Sequence, residues 1–265
     1  MLEPLSTGTP FLFLLVGAIA ASISITAATM GLGRWLRTKH DETIGRRRVQ
    51  SKKLRRLACG VRAAYLEEVI GTPAFLNKQK SEGGEPASEE RIYVLPDAFV
   101  QVYCTADSVI EAFAITTRSR RFAPKLEIPW GGSRKDKLIV RLGRTLYSEL
   151  GSDKPLAASG WAGARHWGYH EVHFFGNPGF YQTYILASND VSDVGWPSER
   201  SDWSAILVIS GEDRINVLAP PAAWDSFRTA AAPNTFCVVG PHVDEQRFTG
   251  SVGVEMDVLR VLPDE

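Results

Sequence analysis

Residues 169–187 read Tyr-His-Glu-Val-His-Phe-Phe-Gly-Asn-Pro-Gly-Phe-Tyr-Gln-Thr-Tyr-Ile-Leu-Ala, and this stretch decides the fold class. Tyr169–Phe175 and Phe180–Ala187 are rich in aromatic and β-branched side chains, which suit a pleated, half-buried surface. Between them, Gly176-Asn177-Pro178-Gly179 supplies what a turn needs: proline with a preset φ and glycine free to take a positive one. The pattern predicts a hairpin whose second strand pairs back on the first. The competing reading starts a helix at Asn177, with Pro178 at the first helical position, where a missing N–H leaves nothing unsatisfied.

Outward from this hairpin the same period-two character recurs. Arg91–Leu95 is a short strand stopped by Pro96-Asp97, and Ala98–Cys104 and Ser108–Thr117 form a second hairpin around Thr-Ala-Asp. Lys137–Leu142, Ala205–Ser210 and Thr235–Val239 add strands, Val254–Val261 is a further candidate, and Ala222–Ala231 has helical composition. The expectation is a mainly β (α+β) fold, with a β-sandwich or barrel-like domain over residues 91–265.

The segment before it has a different nature. The 265 residues carry 30 Lys+Arg and 30 Asp+Glu, but the balance is uneven along the chain. No charged residue lies between Pro4 and Gly33, and Arg34 to Arg62 holds eleven Lys/Arg against Asp41 and Glu42, a balance of +9. Glu3 adds −1, so residues 63–265 carry −8. Phe11 to Met30 is an apolar run of the length that crosses a hydrocarbon core of roughly 30 Å as a helix. A cleaved signal peptide would need a basic leader, and the early charge here is Glu3. We therefore read residues 1–10 as a short extracytoplasmic N-terminus and 11–33 as a transmembrane helix. Positive charge after the span places the C-terminal side in the cytoplasm. Small residues within the span (Ala18, Ser22, Ala20, Ser24, Ala28) allow self-association. Cys59, Cys104 and Cys237 have no Cys-x-x-Cys spacing and suit a reducing compartment.

Residues 34–76 read as a basic juxtamembrane helix. Leu54, Leu57, Ala58, Val61, Tyr65 and Val69 recur at spacings of three and four, and Gly71 with Pro73 stops it. Arg46, Arg47, Arg48, Lys52, Lys53, Arg55 and Arg56 are the expected contacts with anionic lipid headgroups. Aromatic residues do not interleave with the basic run, so nucleic acid is not an expected partner. Residues 77–90, polar and containing Gly-Gly and Pro, read as a linker.

Two further segments carry a resemblance. Thr116-Thr117-Arg118-Ser119-Arg120-Arg121-Phe122 with Pro124, and Gly176-Asn177-Pro178-Gly179-Phe180-Tyr181-Gln182-Thr183, resemble signature segments of a family of uncharacterised bacterial single-span membrane proteins. The order of parts is similar as well, ending in Val-Val-Gly-Pro at Val238–Pro241. The likeness covers most of the chain after the span. It implies a shared fold and a bacterial inner-membrane setting; it implies no activity and transfers no catalytic residue.

Chemistry-bearing clusters are few. Arg118 and Arg120 alternate onto one face of a strand end, where two guanidiniums, with Arg121 beside them, form a candidate anion site. His166, His170 and His173 surround Glu171, but strand alternation leaves Glu171 and His173 on one face and His170 on the other. Glu171 and His173 are a weak metal alternative, short of the four ligands of structural zinc. Ser159 and Ser210 lack the Gly-x-Ser-x-Gly setting, and Gly131-Gly132-Ser133-Arg134-Lys135 lacks phosphate-loop spacing. Trp196, Trp203 and Trp224 are candidates for a pocket rim or for core. No cofactor is expected. The leading expectation is a non-enzymatic, membrane-anchored cytoplasmic domain that binds a partner protein or a small anion. A second is a nucleotide- or anion-sensing membrane effector that clusters through its span, in a defence setting. A third is a hydrolase with an unrecognised site such as Glu171 with His173.

Overall fold

The computed structural model describes residues 45–79, 88–130, 136–151, 155–162, 167–177, 179–192, 194–196, 221–244, 248 and 252–254. The expected span, Ala205–Ser210, His166, Trp203 and Ser210 lie outside the described residues, as does Val254–Val261 beyond its first residue. Among the described residues no helix is long and apolar enough to cross a membrane.

The chain divides after Gln50. Residues 45–50 lead into and begin helix α1 (Arg46–Leu54). The unit from Ser51 onward contains helix α2 (Ala63–Ile70), strands β1 (Phe75–Gln79), β2 (Ser88–Leu95), β3 (Ala98–Thr105), β4 (Ile110–Thr117), β5 (Lys125–Pro129), β6 (Lys137–Arg141), β7 (Ala157–Ala162), β8 (Trp167–Asn177), β9 (Phe180–Asn189), helix α3 (Pro221–Ala230) and strand β10 (Thr235–Val239). The fold is mainly β. Eight strands make one antiparallel sheet in the order β1-β2-β3-β4-β10-β9-β8-β7, and β5-β6 form a separate two-stranded ribbon. Among the described residues this sheet runs as a ladder from β1 to β7. β10 joins two meanders through β4 and β9. Its Thr-Phe-Cys-Val-Val sequence is buried throughout, as a strand covered on both faces requires.

The Tyr169 hairpin forms as its pattern predicts. β8 and β9 pair from Gly168↔Asn189 to Asn177↔Phe180. Two residues connect them, and Gly179 takes φ +84°, the left-handed conformation that glycine adopts without steric penalty. The helix beginning at Asn177 is absent: Asn177 remains in the ladder.

Cross-strand neighbours share a face, so the register sorts the core. Tyr93, Val100, Ile115, Phe236, Leu186 and Glu171 form one continuous row across six strands. This face meets Leu54, Leu57, Leu66, Leu126, Ile128, Leu142 and Phe227 in the main core. The opposite face, with Ala112, Ala114, Val172, Ile185, Ala187, Cys237 and Val239, is covered by Phe248 and Val252.

Three sequence expectations change. The helix over 34–76 is broken: Gly60 has φ +83°, its N–H donates to Ile110 O at 2.8 Å, and Arg62 bridges Val109. Helical spacing therefore continues through a segment whose backbone partners are strand residues. The linker 77–90 is partly strand, because Lys78 pairs opposite Glu89 and Asn77 opposite Glu90 at the sheet edge. A polar edge strand lacks the apolar alternation that marks an inner one. Finally, β5 and β7 form where short, mixed segments gave no strand signal; Leu126 and Ile128 on β5 nonetheless point into the core.

Candidate functional site

Glu171 is fully buried on the core face of β8 and has all the partners such burial demands. Its Oε1 accepts hydrogen bonds from Tyr169 Oη at 2.7 Å and Arg228 Nε at 2.8 Å. Its Oε2 lies 3.1 Å from His173 Nε2 and accepts from a second Arg228 nitrogen at 3.4 Å. The alternation Tyr169, Glu171, His173, Phe175 puts these groups on one face, while α3 supplies Arg228 and Trp224. The Trp224 indole donates to Tyr169 Oη at 2.7 Å, and the Arg228 guanidinium lies 4.7 Å from the Trp224 ring centre. Arg228 also donates to Tyr147 O at 3.0 Å. Tyr147 Oη and Ser188 Oγ are 3.0 Å apart. Burial, first, and then the neighbouring carboxylate push the Tyr169 phenol far above its ordinary value.

Glu171 and His173 do converge, as alternation required, and the carboxylate is shared with Arg228. Glu171 and His173 are 0% and 1% exposed. Sequence reasoning missed Arg228 and Tyr169. The available signal was a lone carboxylate in an aromatic strand and a lone guanidinium in the helical segment, which must pair if both are buried.

Elsewhere the predicted residues stay apart. His170 is buried on the opposite face, and desolvation lowers its imidazole to about 4. It pairs across the ladder from Ser159, but an imidazole of that value is a poor general base near neutrality. Burial pushes the Cys59 and Cys104 thiols up to about 12 and about 11, and Cys237 higher still, which disfavours their thiolate forms. Trp196 donates to Asn189 O at 3.0 Å and packs with Trp224 against the main core.

Arg118, Arg120 and Arg121 are exposed in the turn after β4, not on the strand. Thr117 Oγ1 donates to Phe122 O at 2.8 Å and Phe122 N–H to Ser119 O at 2.9 Å, which fixes the turn. Strand alternation ends at Thr117, so the shared-face argument for Arg118 and Arg120 does not apply. Arg118 stacks on Phe99 at 4.7 Å. Of the basic segment, Arg46, Arg48, Lys52, Lys53, Arg55 and Arg56 are exposed and Arg47 is half-buried.

A cavity of about 270 Å³ lies on the core face of the sheet. The turn after α1 brings Leu57, Ala58 and Cys59 to one side, while Phe113, Ile115, Tyr184, Phe236 and Val238 form the floor. Leu126 and Pro129 of β5 close another side. Charge is confined to Arg55 and Glu127, 3.8 Å apart. Lys137 Nζ lies 2.6 Å and Lys125 Nζ 3.9 Å from the same carboxylate. Lys137, first among its neighbours, holds the Glu127 carboxyl below its ordinary value. None of the residues of the Glu171 cluster lines this cavity.

No protein-family model matches the chain, and no curated protein matches it. A solved structure from Streptococcus mutans, provisionally described as a beta-lactamase inhibitor protein, is similar over 51% of this chain and 80% of that chain. The identity is 14% and the TM-score 0.23, too low for the likeness to bear on fold or function.

Proposed function

We propose that this chain is a membrane-anchored binding domain without catalytic activity. One span over residues 11–33 leaves the N-terminus outside and the β-rich domain in the bacterial cytoplasm. The likeness of residues 116–122 and 176–183 to single-span bacterial membrane proteins belongs to the same proposal. The observation that carries the binding reading is the cavity lined mainly by apolar side chains, with Arg55, Glu127 and Gln182 among them. Apolar walls with a few polar groups are the pattern of a ligand site. The nearby carboxylate–histidine pair, by contrast, is buried and fully engaged.

Alkaline carbonate extraction with protease protection tests the anchor. The full chain should stay in the membrane pellet, and a C-terminal tag should resist protease added outside spheroplasts. Recovery in the wash, or cleavage of the tag, would remove the anchor or its orientation.

A second reading, anion sensing, is favoured by three exposed guanidiniums in one hydrogen-bonded turn. Double charge reversal of Arg118 and Arg120 should weaken binding of inorganic phosphate or a nucleotide at least tenfold in equilibrium dialysis. Unchanged binding would dismiss that site. Because Arg118 stacks on Phe99, the reversal should also cost about 0.5–1 kcal/mol of stability.

A further inference from the structure

We propose that the cavity beside the turn after α1 receives a single medium-length acyl chain carrying an anionic head. The inference rests on the binding reading above and names its ligand class. Size comes first: about 270 Å³ equals roughly nine water volumes at about 30 Å³ each, room for a chain of about eight to ten carbons. The lining decides the tail. Leu57, Phe113, Ile115, Leu126, Phe236 and Val238 offer no hydrogen-bonding side-chain group. Of the polar wall groups, Cys59 Sγ donates to Val238 O at 3.6 Å and Tyr184 Oη to Gln182 Oε1 at 3.4 Å, which leaves the Gln182 amide N–H groups, Arg55 and Glu127 to meet a polar head. A polar group placed against the apolar side chains would lose its hydration without replacement, whereas an apolar chain there loses nothing.

The rim decides the head. Arg55, Lys125 and Lys137 surround one carboxylate, Glu127, so three cations face one anion. A carboxylate or phosphate on the occupant makes up part of that deficit, and a cationic head would add to it. Arg55 is also the group best able to swing: its 3.8 Å contact with Glu127 is long and 40% exposed, the sort of pair that holds weakly. It can turn to a ligand head while Lys137 retains Glu127.

Photolabelling of the full chain in discs of zwitterionic phosphatidylcholine tests this. One arm uses a diazirine-bearing decanoic acid; the other uses a phosphatidylglycerol whose acyl chain carries the same diazirine. Label is expected on the peptides containing Leu57–Cys59 and Phe236–Val238 in at least one arm. The arm that labels identifies the source as a free amphiphile or a bilayer lipid. Decanoate should compete at least tenfold better than decanol. Ala58→Trp, at an exposed position on the cavity wall, should cut labelling at least tenfold while the melting temperature holds. Arg55→Glu should remove the preference for decanoate over decanol. Label confined to residues 1–44, or labelling indifferent to Ala58→Trp, would overturn the inference. A chain that stays in membranes after carbonate washing but takes no label defeats this inference alone. Cavity labelling of a chain that washes off defeats only the anchor.

Discussion

Replacing Glu171 by Ala is expected to lower the unfolding free energy by about 3–5 kcal/mol, the cost of leaving a buried charge without its partner. The charge is Arg228, whose side chain is 8% exposed against a carboxylate that is 0% exposed. Removing the carboxylate strands the guanidinium and leaves the Tyr169 hydroxyl and the His173 ring without their acceptor. Arg228→Ala should cost a similar amount by the reciprocal route. The double variant Glu171→Leu with Arg228→Met separates this from lost packing. Apolar replacement of both partners of a buried pair is often neutral or stabilising, so the double variant should recover at least half the loss. Urea-dependent pulse proteolysis of the full chain in membrane discs measures all four proteins. A single-variant loss below about 1 kcal/mol would show that water reaches the pair and that the site is open. That result would also revive the hydrolase reading.

The same cluster marks where sequence reasoning stops. Strand and turn chemistry are local, so residues 169–187 disclose their hairpin, and alternation places Glu171 and His173 together. What alternation does not encode is the element above the sheet. Arg228 lies 57 positions away, and nothing in the intervening residues specifies that α3 crosses β8 there. The cavity is hidden for a related reason. Leu57 and Ala58 fit a helical period, and only the strand-like partners of Gly60 and Arg62 reveal that the chain leaves the helix and turns its apolar side chains onto the sheet. β1 shows the opposite effect. Its one charge, Lys78, is the cross-strand complement of Glu89, with Asn77 opposite Glu90, and polarity read along one strand resembles a linker. Period identifies a face; what covers that face is tertiary information.

Acid should weaken the fold before any carboxylate is lost, and His170 is the reason. Its imidazole, buried between Ser159 of β7 and Ala187 of β9 in the ladder, is lowered by desolvation to about 4 against 6.5 for the free group. Between those two values the unfolded chain binds the additional proton. Stability therefore falls as pH drops below about 6.5, and the loss is complete once pH passes below about 4. The full difference corresponds to roughly 3 kcal/mol, most of it realised by pH 4.5. Glu127 acts in a separate window. Its carboxyl is lowered by Lys137, so its contribution is present above 4.5 and disappears only as pH falls through its lowered value. The difference between the profiles of the unmodified chain and His170→Gln from pH 7 to 4.5 thus isolates this histidine from the other four. The unmodified chain should lose about 2–3 kcal/mol more than His170→Gln over that interval, with the difference approaching a slope of about 1.4 kcal/mol per pH unit. Parallel profiles would mean that His170 takes its proton in place, with water or a neighbouring acceptor entering the sheet face to hold it.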